Sequence, residues 1–110
     1  MRVTIDQKPI SVNQAWQGRR YKTKLYQQYE RMMLTVLPNL SIPSGRLSIT
    51  LTFGFSNKSS DLDNPVKPML DILQKRYGFN DSRIYLLTVN KKIVPKGQEN
   101  ITFEINTLND

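Results

Sequence analysis

The chain has no histidine and no cysteine. Those two absences remove much of enzyme chemistry. Ser-His-Asp triads, HNH-type nuclease sites, His- or Cys-ligated zinc, thiol nucleophiles and disulfide frameworks are all excluded. Long apolar runs are missing too. None approaches the roughly 18 residues of a membrane-crossing helix, so no membrane partner is expected. The start, Met1–Asp6, lacks the apolar segment of a secretory signal, and a cytoplasmic protein is expected. Acid is scarce in one half: residues 1–60 carry nine Lys/Arg against two Asp/Glu, whereas residues 61–110 carry seven of each. What remains as reactive material is oxygen ligands, lysine and arginine. That repertoire suits hard divalent cations, Mg²⁺ first.

The formal charge of +7 therefore lies in the N-terminal half. A basic surplus on a small domain points to a polyanionic partner, nucleic acid above all. Arg19, Arg20, Lys22 and Lys24 form the densest group, with Tyr21 and Tyr26 between them. Lys91, Lys92 and Lys96 form a second group, and Lys58 stands just ahead of the acidic stretch. These are the expected phosphate contacts, which supply salt-dependent affinity. Trp16, just upstream, is suited either to stacking on an unpaired base or to packing in a core or interface.

Periodicity predicts one domain over 1–110, an α+β fold. Arg2–Asp6 reads as a short strand. Thr23 caps a helix whose inward positions are expected to be Leu25, Tyr29, Met32, Met33 and Val36, ended by Pro38. Leu47, Ile49, Leu51, Phe53 and Phe55 alternate with small or polar residues, a strand with one buried face. Pro65 suits the first turn of a second helix, with Asp63 or Asn64 as cap, an apolar stripe of Val66, Met69, Leu70 and Leu73, and Gly78 as terminator. Ile84–Val94 and the alternating Ile101, Phe103 and Ile105 read as a closing hairpin. The order β-α-β-α-β-β implies a small mixed sheet covered by two main helices.

The chemistry concentrates in Asp61-Leu62-Asp63-Asn64-Pro65-Val66-Lys67. On an extended chain, Asp61 and Asp63 project to the same side. Lys67 follows one helical turn after Asp63, and Asp71 one turn after Lys67. Asp81 lies past the end of the helix and is expected to return to the same sheet end as Asp61 and Asp63. Three carboxylates there would hold one or two Mg²⁺ ions for phosphodiester hydrolysis, with Lys67 meeting developing negative charge. Each residue taken singly also has an ordinary use: Asp63 as a helix cap, Lys67 and Asp71 as a surface pair, Asn80-Asp81 as a turn. Two other readings follow from those uses. One is a non-catalytic nucleic-acid-binding module; the other is a Mg²⁺-dependent hydrolase of small phosphates.

The whole string Asp61-Leu62-Asp63-Asn64-Pro65-Val66-Lys67-Pro68-Met69-Leu70-Asp71 closely resembles the D-L-D-N-x-x-K-x-x-x-D signature of the RusA family of Holliday junction resolvases. Gly78-Phe79-Asn80-Asp81 resembles that family's second acidic motif, with Asn80 where the family often has a second acid. Pro9-Ile10-Ser11-Val12-Asn13, followed by Arg20 and Tyr21, is similar to its N-terminal element. The resemblance implies a RusA-like fold and a homodimeric, Mg²⁺-dependent endodeoxyribonuclease, with Mn²⁺ able to substitute. It implies paired symmetric nicks in four-way DNA junctions during recombination and repair, leaving 5′-phosphates, and often a phage or prophage origin. By motif position, Asp61, Asp63 and Asp81 would bind metal and Lys67 would be the essential cation. Asn64, Asp71 and Asn80 would support them.

Overall fold

The computed structural model describes residues 2–10, 16–17 and 21–109. Its elements in chain order are β1 (Arg2–Ile5), β2 (Trp16–Gln17), β3 (Tyr21–Lys22), α1 (Lys24–Val36), β4 (Leu47–Phe55), α2 (Val66–Tyr77), a single 3₁₀ turn (Asp81–Arg83), β5 (Ile84–Ile93) and β6 (Asn100–Thr107). The expected α+β architecture is present: a four-stranded mixed sheet in the order β1-β6-β4-β5, with two helices. A two-residue ribbon, β2 with β3, is additional to the expected elements.

The sheet separates its two faces by strand alternation. Leu47, Ile49, Leu51 and Phe53 of β4 are fully buried, and Ile101, Phe103 and Ile105 of β6 sit opposite Phe53, Leu51 and Ile49 on the same face. Val3 and Ile5 of β1 continue that face beside Phe103 and Ile101. Ser48, Thr50, Thr52, Thr102 and Thr4 line the other, where the Thr4 and Thr102 hydroxyls are 2.9 Å apart. One face is thus a core and the other is hydroxyl-rich.

The expected closing hairpin does not form. β4 lies between β5 and β6, parallel to β5 and antiparallel to β6. The cause is burial. β4 is the strand with the longest run of fully buried apolar side chains, and only a central position gives it a neighbour on each edge. The chain leaves β5 through Val94, whose N–H donates to the Phe55 carbonyl at 2.8 Å, and crosses the end of β4 to reach β6.

Helix α1 starts as expected, with the Thr23 hydroxyl accepting from the Tyr26 N–H at 3.1 Å. Its inward stripe is corrected. Tyr26, Tyr29, Met33 and Leu37 are buried, whereas Leu25, Met32 and Val36 are exposed at 51%, 51% and 44%. A helix turns about 100° per residue, so seating both tyrosine rings carries Leu25 and Met32 out of the core. The rings of Tyr26 and Tyr29 pack at 6.2 Å between centroids. In α2, Pro68, Met69, Ile72 and Leu73 are buried, and Val66 and Leu70 only half so. Gly78 takes the left-handed conformation (φ 71°) that terminates the helix without a Cβ penalty. Neither Asp63 nor Asn64 caps α2: the cap position is Pro65, with no side-chain hydrogen bond.

Glu30 joins the two helices. Its carboxylate accepts from Lys22 at 2.9 Å and from Lys75 of α2 at 2.9 Å. Burial raises its pKa, but the bonds from Lys22 and Lys75 outweigh burial, and the net displacement is downward. A lowered folded-state pKa means stability present above the ordinary carboxylate range and lost as pH falls through the folded value. Glu30→Gln is therefore expected to lower Tm at neutral pH by about 4 °C, for roughly 1 kcal/mol after solvent screening of the exposed lysines. The deficit should vanish in acid. Thermal melts of both proteins from neutral to acidic pH check this, and a deficit that persists in acid would refute it.

Candidate functional site

The acidic string spans the connection from β4 to α2 and the first turns of that helix. Asp63 ends the loop, and the Val66 N–H donates to its carbonyl at 3.2 Å. From there the helical repeat carries Lys67, Asp71 and Gln74 along one line. That line forms one wall of a groove of about 540 Å³ between α2 and β5. Asp63, Lys67, Asp71, Gln74 and Asp81 contribute its polar groups; Val66, Leu70, Leu87 and Val89 contribute its apolar floor.

Within the groove the Lys67 ammonium lies 3.3 Å from an Asp71 carboxylate oxygen. Their side chains are 62% and 34% exposed, so the pair is weak and the ammonium exchanges Asp71 for another anion at little cost. Asp81 is held by its backbone: its N–H donates to Gln74 Oε1 at 3.0 Å. The Asn80 side-chain oxygen accepts from the Ser82 N–H at 2.8 Å, which shapes the 3₁₀ turn beginning at Asp81. Arg83 anchors the same turn by donating to the Gly45 carbonyl at 3.0 Å and to that of Pro43. Gln74 was not foreseen, although its place one turn beyond Asp71 on the same helix face was a legible signal.

Asp61 stands apart. It lines a neighbouring cavity of about 290 Å³ with Lys8, Pro9, Phe55, Ser60, Asn64 and Pro65. The Asn64 amide donates to it at 3.2 Å. The expected return of Asp81 to the sheet end of Asp61 and Asp63 is not what the topology gives. β4 and β5 are parallel, and β5 begins beside the start of β4, at the Leu47–Ile84 pair. Asp81 immediately precedes β5, whereas Asp61 and Asp63 follow the end of β4. Helix α2, 12 residues and about 18 Å long, runs between those ends. Among the described residues no three carboxylates are close enough to share one cation. The donor chemistry still fits Mg²⁺, which takes hard oxygen ligands and commonly only one or two carboxylates, completing its shell with water and phosphate oxygens.

The expected basic contacts divide. Lys22 is bound to Glu30 and lies 5.3 Å from the centre of the Tyr26 ring. Lys24, Lys58, Lys92 and Lys96 are exposed. The Lys91 ammonium donates to the carbonyls of Lys58 and Ser60 at 2.6 and 2.5 Å, binding the loop ahead of Asp61 rather than standing free. Arg19 and Arg20 lie outside the described residues, as do Ser11, Val12 and Asn13 of the N-terminal element. Among the described residues no helix is long and apolar enough to cross a membrane.

No protein-family model matches the chain, and no curated protein matches it.

Proposed function

We propose that this chain is a Mg²⁺-dependent endodeoxyribonuclease that resolves four-way DNA junctions by paired symmetric nicks. One observation carries the reading: Asp63, Lys67, Asp71 and Asp81, four residues of the RusA-like signature, line a single groove. Helical spacing lines up Asp63, Lys67 and Asp71, the 3₁₀ turn adds Asp81 to the same groove, and neither Asp63 nor Asn64 acts as a side-chain cap.

In this reading Asp63 would supply a carboxylate oxygen for Mg²⁺, with water and phosphate oxygens completing the shell; Asp61, in the neighbouring cavity, and Asp81, at the far end of α2, would not share that ion. The bound cation, as such ions do, would lower the pKa of an attacking water and neutralise phosphate charge. Lys67 leaves Asp71 for the scissile phosphate and offsets the charge that develops there. Water adds to phosphorus, the bond to the 3′ oxygen breaks, and the products are a 5′-phosphate and a 3′-hydroxyl. Asp71 holds the Lys67 ammonium ready between turnovers. Gln74, through the Asp81 N–H, keeps the far end of the groove in place. Lys24, Lys58 and Lys92 are exposed for phosphate contact. Two symmetric cuts require two sites related by a two-fold axis, so the acting species is a homodimer.

The test is cleavage of a labelled four-way junction in Mg²⁺ beside a linear duplex of the same sequence. The expected result is paired nicks at symmetric positions, on the junction only, with ends that a ligase rejoins. Tight junction binding without any cutting would instead favour the non-catalytic module. Release of phosphate from nucleotides, with no effect on junctions, would favour the small-phosphate hydrolase.

A further inference from the structure

We propose that Lys91 is a positioning residue, a clamp that holds the acidic loop against the sheet. Lys91 sits near the end of the edge strand β5, paired with Phe53 of the buried strand β4, so its backbone is tied to the core through that pairing. Its ammonium reaches out of the sheet to two carbonyls, Lys58 at 2.6 Å and Ser60 at 2.5 Å. Two of its three N–H donors are therefore committed. Both bonds are short and charge-assisted, the strong class of hydrogen bond.

The target of the clamp matters. The stretch from Ser56 to Pro65 contains no helix or strand. Its first part is folded on itself: Asn57 Oδ1 accepts from the Ser59 N–H at 2.9 Å and from the Ser59 hydroxyl at 2.8 Å, and the Ser60 N–H reaches the Asn57 carbonyl at 3.2 Å. That compact turn would swing as a unit if nothing fixed it to the core. Lys91 fixes it at Ser60, the residue before Asp61, and Ser60 and Asp61 line the same cavity. The clamp thus sets where the Asp61–Asp63 segment stands relative to the sheet. The positive charge it brings, half-exposed, is met by two carbonyl dipoles rather than by a carboxylate.

The kinetic consequence rests on the nuclease reading above; the structural one does not. In Lys91→Met, which keeps the aliphatic stem and removes the ammonium, hydrogen exchange across residues 57–63 is expected to accelerate about ten- to hundredfold. Exchange in β4, β6 and α2 should hold at the wild-type level. Lys91→Arg, which can still donate to both carbonyls, should recover much of the protection. On a junction, Lys91→Met should lose about tenfold in kcat while keeping wild-type Kd and its salt dependence in Ca²⁺. Unchanged exchange in the loop, or equal acceleration throughout the sheet, would overturn the clamp. So would a salt slope shallower by about one with kcat intact, the signature of a lost phosphate contact. If the wild type cuts no junction, the nuclease reading fails, and the exchange measurement still decides the clamp.

Discussion

Asp63→Asn is expected to abolish junction cleavage, by at least about 10²- to 10³-fold, while leaving junction affinity close to wild type. The substitution keeps the shape of the side chain and removes only the charge and one oxygen. Asp63 is exposed and carries no helix cap. Folding therefore does not depend on it, and stability should move by less than about 0.5 kcal/mol. Affinity comes from lysines and arginines on phosphate, and neutralising an acid near the phosphate does not weaken those contacts. The position of Asp81 adds a second expectation. Had three carboxylates converged, Asp63→Asn would raise Tm in EDTA by relieving repulsion. With Asp81 at the other end of α2, that gain should be absent. Gel-resolved cleavage, a binding titration in Ca²⁺ and a melt in EDTA together check these points. Full activity in Asp63→Asn would remove this residue from the chemistry.

Met33→Ala is expected to cost about 2–5 kcal/mol, and Met32→Ala less than about 0.5 kcal/mol. The two residues are adjacent in the chain and identical in chemistry. Met33 is wholly buried in the core, and Met32, about 100° further round α1, is half exposed. Removing the Met33 side chain leaves a void among Tyr26, Tyr29 and the strand residues of the core cluster. For a domain whose total stability is on the order of 5–15 kcal/mol, the loss is a large fraction. Urea denaturation of the two variants measures it directly. Equal costs would mean that α1 is rotated between the two stripes, as the apolar periodicity alone had suggested.

That pair also marks where local pattern stops being informative. The apolar spacing of α1 admitted Leu25, Met32 and Val36 as inward positions, because aliphatic side chains count as more apolar than tyrosine. The actual stripe runs through Tyr26 and Tyr29, whose rings bury more surface and settle the rotation of the helix. Strand β4, by contrast, was legible over most of its length. Alternation from Leu47 to Phe53 says which face is apolar without tertiary information, and it breaks only at the end, where Gly54 is buried and Phe55 half-buried. The caps at Thr23 and Gly78 were legible for the same reason: the capping atoms and the left-handed backbone belong to the residue itself.

The candidate site divides along the same line. Asp63, Lys67 and Asp71 could be placed together from sequence, since a helical repeat of about 3.6 residues puts positions four apart on one face. Gln74 extends that line. Lys91 could not be assigned from sequence, because its partners are carbonyls about thirty positions earlier in the chain, and a lysine in a basic run looks like a phosphate contact.

By itself, then, the sequence determined which reactive groups the chain holds, the extents of the two helices and the three long strands, and the placing of Asp63, Lys67 and Asp71 along one line. These depend on interactions between residues a few positions apart. Tertiary structure alone decided that β5 pairs with β4 rather than with β6, and with that, that Asp81 stands at the far end of the groove from Asp63. Strand order is settled by which strand gains most from burial on both edges. That comparison is made across the whole sheet and is written in no local stretch of the chain.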